Sequence, residues 1–257
     1  MSFNLRYATA DDGRNAWFQR KDILIQTIVQ HAPLIVGTQE GLDFQLNEIT
    51  QALPGFQRIG VSRYGNIHDE HCAILYDYRL IEVVQNGDFW LSETPYQIGS
   101  RFASAVFPRI VSWGKFRHKQ WTLPFYIFNT HFDHKNEPVR QKSAETVLSQ
   151  LASINDEHLP IILMGDFNSQ RGSKTWQILC DGKLQEVWET VPEFGNSLNY
   201  TFHQFSGRNH GFIDWVFYQG PISPIKASIL DDNRSGAYPS DHFPLWVLFK
   251  CTHTIYH

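Results

Sequence analysis

Four polar clusters carry the side chains with which this chain can do chemistry, and each stands at one end of an apolar run: Gln39-Glu40, Asn129-Thr130-His131-Phe132-Asp133-His134, Gly165-Asp166-Phe167-Asn168 and Ser240-Asp241-His242. Strand ends of layered α/β proteins are where a rigid backbone presents side chains to a ligand. Carboxylates and amide carbonyls are hard oxygen donors that suit Mg²⁺ or Mn²⁺, and a carboxylate-bound Mg²⁺ commonly also meets substrate phosphate. Histidines beside such a site hydrogen-bond phosphate oxygens or move protons. Together these residue types equip a chain for metal-assisted phosphoester hydrolysis.

Each cluster has a plainer reading when taken alone. Glu40 reads equally well as a negative charge placed at the start of the next helix. Gly165-Asp166-Phe167-Asn168 reads as a turn, because Asp and Asn bond back to their own backbone. Ser240-Asp241-His242 reads as loop chemistry before an edge strand, and His131 as a structural histidine. A zinc site built from His131, His134 and His242 is a further option, but the surrounding carboxylates favour a harder metal.

The elements that must position these residues follow from periodicity. A helix is expected over 17–31, where Leu24, Thr27, Ile28 and His31 share one face, and Pro33 ends it. The run 34–38 reads as a strand covered on both faces, delivering Gln39-Glu40, and a second helix spans 42–53. From 56 to 121 the pattern is β, with runs at 56–61, 71–76, 80–84, 104–107 and 110–116. The strand 125–130 leads to His131, a helix with proline in its first turn covers 138–152, and the strand 160–164 feeds Asp166. A short helix at 175–180, strands at 211–218 and 225–230, the loop 231–240 and a last strand at 245–249 complete the chain. Helices interleaved with strands at both ends and a β-rich middle indicate an α/β fold of two packed sheets with helices outside.

With 257 residues and no linker or low-complexity tract, the chain reads as a single domain over 1–257. The formal charge of −4 supplies no long-range pull on nucleic acid, so a polynucleotide would depend on a local basic patch and metal ions. Cys72, Cys180 and Cys251 are scattered and lack metal-ligand spacing, as free thiols in a reducing compartment would be. No run spans a bilayer, so no membrane insertion is expected. The opening residues 1–7 read as the second half of a first strand, which leaves room for upstream residues, an export signal among them; cytoplasm is the default.

In chain order, Ser2-Phe3-Asn4, Gln39-Glu40, Asn129-Thr130-His131, Gly165-Asp166-Phe167-Asn168, Ile213-Asp214 and Ser240-Asp241-His242 resemble the motif set of the endonuclease/exonuclease/phosphatase superfamily. That superfamily has the deoxyribonuclease-I-like fold and includes abasic-site endonucleases, inositol polyphosphate 5-phosphatases, sphingomyelinases and nocturnin-type deadenylases. The resemblance implies a four-layer α/β sandwich, two mixed β-sheets flanked by helices, with the site at one edge. It implies Glu40 as main metal ligand with Asn4 and Asp241 nearby, and Mg²⁺ or Mn²⁺ as cofactor. Asp166 would orient or activate the attacking water, assisted by Asn168, while His131 and His242 would contact the scissile phosphate. Asp214 would pair with and fix His242, Glu70 would pair with His131, and Arg109 would contact substrate phosphate.

Phe132-Asp133-His134 followed by Arg140 resembles a bacterial subgroup near the nocturnin/deadenylase-like branch, with Asp133 and His134 as added substrate contacts or as a hydrogen-bonded loop. The aromatics Trp17, Trp90, Tyr200 and Phe202 are candidates to stack on a base or sugar, though in so aromatic a chain most belong to the core. One fold hosts many substrates, so the expected activity is that of a divalent-metal-dependent phosphoester hydrolase. It would act as a phosphodiesterase or nuclease, exoribonuclease-like among the options, or as a phosphatase on a nucleic acid, nucleotide or small phosphoester. A catalytically silent module that binds a phosphorylated ligand is the alternative. No obligatory protein partner is evident, and a monomer is expected.

Overall fold

In the computed structural model, which describes residues 1–121 and 123–251, the apolar runs become strands and the 3.6-period stretches become helices. The chain begins β1 (Ser2–Asn4), α1 (Trp17–His31), β2 (Ile35–Gln39), α2 (Asp43–Ala52), β3 (Phe56–Ile59) and β4 (Ile74–Asp77). It continues β5 (Ile81–Trp90), β6 (Ile110–His118), β7 (Phe125–His131), α3 (Glu137–Ile154), β8 (Ile161–Asp166) and α4 (Lys174–Asp181). It closes with β9 (Gln185–Glu186), α5 (Val187–Thr190), β10 (Asp214–Gln219), β11 (Ile222–Ile229) and β12 (Leu245–Cys251).

These strands form two six-stranded sheets, ordered β11-β12-β1-β2-β4-β3 and β5-β6-β7-β8-β10-β9. Each sheet is mixed for the same reason: a crossover helix joins its central pair, β1–β2 or β7–β8, so that pair is parallel while the neighbours are antiparallel. α1 and α2 cover the outer face of the first sheet, where Leu24, Ile28, Leu46 and Ile49 pack with Phe3, Val36 and Leu75. α3 and α4 join the second sheet, where Val139, Val147, Leu151 and Leu179 belong to the same core as Phe128, Leu163 and Phe217. Burying a side chain such as Phe128 contributes about 1.5–3 kcal/mol relative to leaving it in water. The result is a four-layer α/β sandwich.

The sheets are also tied by polar groups. Gln39 Nε2 at the end of β2 donates to Asn129 Oδ1 in β7 at 2.6 Å. Asn129 Nδ2 donates in return to Thr38 O at 2.8 Å and Ala73 O at 3.0 Å in the first sheet. Gly37 makes this approach possible, since a Cβ there would lie 2.8 Å from Asn129 Oδ1.

Some expected elements differ. β1 stops at Asn4 rather than continuing to residue 7, because Arg6 takes a left-handed φ of 56° and turns the chain. Residues 104–107 form a turn, closed by Ala105 N to Phe102 O and held by Val106 N donating to Asp133. The strand expected over 71–76 begins at Ile74, since both the backbone N and the ring of His71 bond Gly41 O outside the ladder. β9 and α5 had no sequence signal. Residues 252–257 of the expected single domain lie outside the described residues. No helix among the described residues is long and apolar enough to cross a membrane.

Candidate active site

The two parallel pairs decide where the polar clusters meet. Parallel neighbours end at the same edge, so Asn4 aligns with Gln39 in the first sheet and His131 with Asp166 in the second. β10 and β12 run antiparallel to β8 and β1, so the residues at or just before their starts, Asp214 and His242, arrive at that same edge. All four clusters therefore share one end of the sandwich.

Asn4 bridges the sheets there, its Nδ2 donating to Glu40 Oε1 at 3.1 Å and to Asp166 Oδ2 at 3.0 Å. Its Oδ1 accepts from Arg6 N at 2.9 Å, which fixes the NH₂ end toward the carboxylates. Asn4, expected near a metal, holds the two acids together. Glu40 sits at φ 61°, a left-handed conformation that costs a non-glycine residue about 1–2 kcal/mol. In that conformation its Oε2 takes the N–H of Tyr7 at 3.1 Å.

Asp166 Oδ1 accepts from Asn168 N at 2.8 Å. Its Oδ2 stands 3.5 Å from His131 Nε2 and 3.8 Å from His242 Nε2. Asn168 adopts φ 49°, which Asn tolerates, and its Nδ2 donates to Phe132 O. On the far side, His242 Nδ1 lies 2.8 Å from Asp214 Oδ2. The loop before β10 holds this pair: Thr201 Oγ1 accepts from Ile213 N and Asp214 N, and the Phe202 ring lies 4.8 Å from the His242 ring. Gly165 is needed beside Asp166, because a Cβ would fall 2.1 Å from Thr130 O.

Neighbouring charges give the two buried histidines opposite characters. Burial, with Arg109 and Arg63 adding repulsion, pushes the His131 pKa well below the ordinary value, so the ring is neutral. Burial also opposes charge on His242, but the Asp214 charge and hydrogen bond, together with Asp166 and Asp241, outweigh it and raise the pKa to about 10. Asp166 is raised to about 7, by burial first and then by the Asp214 charge. The site thus holds a fixed cation, a neutral imidazole and a carboxyl poised to gain or lose a proton near neutrality.

Two groups of donors lie within 4.8 Å of one another: Glu40, His131 and Asp166, and Asp166, Asp214 and His242. The first fits a hard divalent cation, since two carboxylates face each other across Asn4 and burial disfavours Asp166 as a lone anion. The second does not, because the charged His242 already carries a proton toward Asp214. Asp241 stands outside both groups; its Oδ1 meets Ser240 Oγ at 3.3 Å and its Oδ2 lies 3.8 Å from Arg6 Nε.

Beside Glu40 and His131 a small cleft is lined by Arg63, Glu70 and Arg109. Arg109 is buried, with Nη2 3.2 Å from His134 Nδ1 and Nε without a partner among the described residues. The larger cavity, about 220 Å³ and lined by residues such as Leu34, Phe125 and Trp246, holds none of the clustered residues. Glu70 lines the cleft with His131 but does not pair with it. Its Oε1 meets Arg63 Nη2 at 3.0 Å, as expected of a carboxylate offered a permanent cation and a neutral imidazole.

Asp133 is likewise not open to substrate. It is fully buried and accepts the N–H groups of Val106, Lys135 and Asn136, which order the loop before α3. His134 is exposed at the rim, stacked on Phe107 with ring centroids 6.2 Å apart. Trp17 and Trp90 are buried, Tyr200 bonds Gly207 O, and of the four aromatics Phe202 alone lies against a site histidine.

Sequence reasoning missed the partners that hold the site. Arg20 carried a signal, a charge on the apolar face of α1; buried, it donates to Leu5 O, Arg6 O and Pro239 O, fastening the loops that carry Asn4 and Asp241. Arg63 was missed although Asp69 and Glu70 follow close behind it, and Thr201 and the Gln39–Asn129 clamp carried no signal because their partners are distant in sequence.

The chain is 35% identical to a mannosyl-6-phosphatase from Bacteroides thetaiotaomicron, covering 97% of this chain and 98% of that one with a TM-score of 0.90. The human nocturnin catalytic domain shares the fold at 19% identity, with 97% and 93% covered and a TM-score of 0.75. A yeast (Saccharomyces cerevisiae) RNA exonuclease, NGL1, is 26% identical over 169 residues, 52% of this chain. The chain spans about half the length of such curated relatives, 47% of the yeast protein and 59% of an uncharacterized mimivirus protein. Residues 1–242, from β1 through the histidine ahead of β12, match the Endonuclease/Exonuclease/phosphatase family, and with that span containing every residue of the edge described above, the chain belongs to this family of phosphoester hydrolases.

Proposed function

We propose that this protein is a divalent-metal-dependent phosphomonoesterase acting on a phosphorylated sugar. The observation that carries the reading is the convergence of Glu40, Asp166, His131 and His242 beside a cleft whose buried Arg109 has no carboxylate partner among the described residues. An unneutralised guanidinium next to a metal-type carboxylate pair fits a phosphate group. Near-complete coverage by a mannosyl-6-phosphatase at 35% identity supports the sugar.

Glu40 and Asp166 would hold Mg²⁺ or Mn²⁺, with His131 adjacent, and the ion would supply charge neutralisation at the phosphate. Asp166 orients or activates the attacking water, and the Asn168 N–H and the Asn4 amide hold its two oxygens in place. His242, kept cationic and oriented by Asp214, hydrogen-bonds the phosphoryl oxygens as their charge grows. His131, neutral, binds phosphate without adding a second cation.

The test is a panel of mannose 6-phosphate, other sugar phosphates, nucleotides, poly(A) and bis(p-nitrophenyl) phosphate, run with Mg²⁺ and with Mn²⁺. The highest kcat/KM is expected for a sugar monophosphate. A higher value for poly(A) or the diester would replace the reading with a nuclease. No turnover of any substrate, with Mn²⁺ binding intact by calorimetry, would leave a silent phospholigand-binding module.

A further inference from the structure

The two arginines of the cleft are in opposite electrostatic states. Arg109 has no carboxylate partner among the described residues, whereas Arg63 has two: its Nε lies 2.6 Å from Asp69 Oδ1 and its Nη2 3.0 Å from Glu70 Oε1. Arg63 is also immobilised. Its guanidinium lies 4.5 Å from the centroid of Phe107, and its carbonyl accepts from Trp90 Nε1 at 2.7 Å. The cleft therefore has one wall that offers an anion a guanidinium without a carboxylate partner among the described residues and one whose guanidinium is already taken by two carboxylates.

Resting on the phosphomonoesterase reading, we infer that the Arg63–Glu70 pair is the wall that selects the leaving group, taking sugar hydroxyls and turning away a second anionic group. A hydroxyl both donates and accepts, and this pair places guanidinium N–H donors next to a carboxylate acceptor within the cleft that Glu40 and His131 border. Glu70 commits Oε1 to Arg63, which leaves its other oxygen for a ligand. A second phosphate brought against this pair finds its guanidinium already taken and gives up hydration in a partly desolvated place, which is how a site discriminates against it. Phe107, 37% exposed at the rim over Arg63, offers an apolar face to the carbon skeleton of a small substrate.

The Glu70→Gln variant tests this, with kcat/KM measured in Mg²⁺ for mannose 6-phosphate, p-nitrophenyl phosphate and fructose 1,6-bisphosphate. The preference for mannose 6-phosphate over p-nitrophenyl phosphate should fall about tenfold, the size of one charge-assisted hydrogen bond. The preference for the bisphosphate over mannose 6-phosphate should rise by a similar factor. Glu70→Asp, which keeps the charge, should keep the rejection of the bisphosphate, and melting curves of both variants establish that they fold. If Glu70→Gln lowers all three substrates by one factor, Glu70 acts only through the fold and the inference is overturned, while the phosphomonoesterase reading stands. If the wild-type protein hydrolyses none of the three but cleaves a phosphodiester, that reading falls and takes this inference with it.

Discussion

Asp214 Oδ2 lies 2.8 Å from His242 Nδ1, both side chains buried, and this contact separates the two site histidines into a cation and a neutral ring. Burial opposes charge on both rings, and at His242 the Asp214 carboxylate is the foremost of the groups that overcome it. The pair is held by Thr201 and Phe202, so its geometry is set before any substrate arrives.

Asp214→Asn should lower kcat/KM on the best substrate about 10²-fold, the upper range for a group that orients another. Removing the negative charge lowers the His242 pKa from about 10, so the cationic form is lost at lower pH. The alkaline limb of the pH profile of kcat/KM should therefore move toward neutrality. An unmoved limb would show that His242 does not act as a cation.

Asp166 makes a second pH signature, in stability. Its folded pKa of about 7 exceeds the ordinary 3.8, so the native state holds a proton that the unfolded chain has released, and metal-free stability falls as pH rises from about 4 to 7. Asp166→Asn keeps a neutral side chain, so in EDTA its melting temperature should gain on the wild type across that window and hold the gain above it. Mg²⁺ favours the ionised carboxylate and should raise the wild-type melting temperature, more at pH 8 than at pH 5, with little effect on the variant. Equal Mg²⁺ shifts in both proteins would remove Asp166 from the metal site.

Asn129→Leu should destabilise the fold by about 3 kcal/mol, since it deletes three buried hydrogen bonds, the shortest of them the one Gln39 Nε2 donates across the sheets. For a chain of this size that is a fall of about 6–12 °C in melting temperature, measured by calorimetry. Denaturant titration should show a lower midpoint. A change under about 1 kcal/mol would mean that the sheets are held by apolar packing alone.

The sequence by itself determined the chemistry and the layers. Glu40, His131 and Asp166 were legible because each follows an apolar run, Asp241-His242 because it leads into one, and α1 and α3 because their apolar residues recur at helical spacing; such signals are local, and local spacing survives in the linear chain. The chemistry-bearing types then pointed to a phosphoester and a hard metal. Only the tertiary structure decided which partner each group takes. Glu70 goes to Arg63 rather than His131, Asp133 to three backbone N–H groups, and Asn4 to the carboxylates of Glu40 and Asp166. These outcomes depend on contacts between residues as distant as Asn4 and Asp166, and on burial, which opposes charge on both His131 and His242 and is overcome only where Asp214 and its neighbours face His242. Neither distance in space nor depth below the surface is written in the spacing of residues along the chain; both appear when two central parallel strand pairs end at one edge.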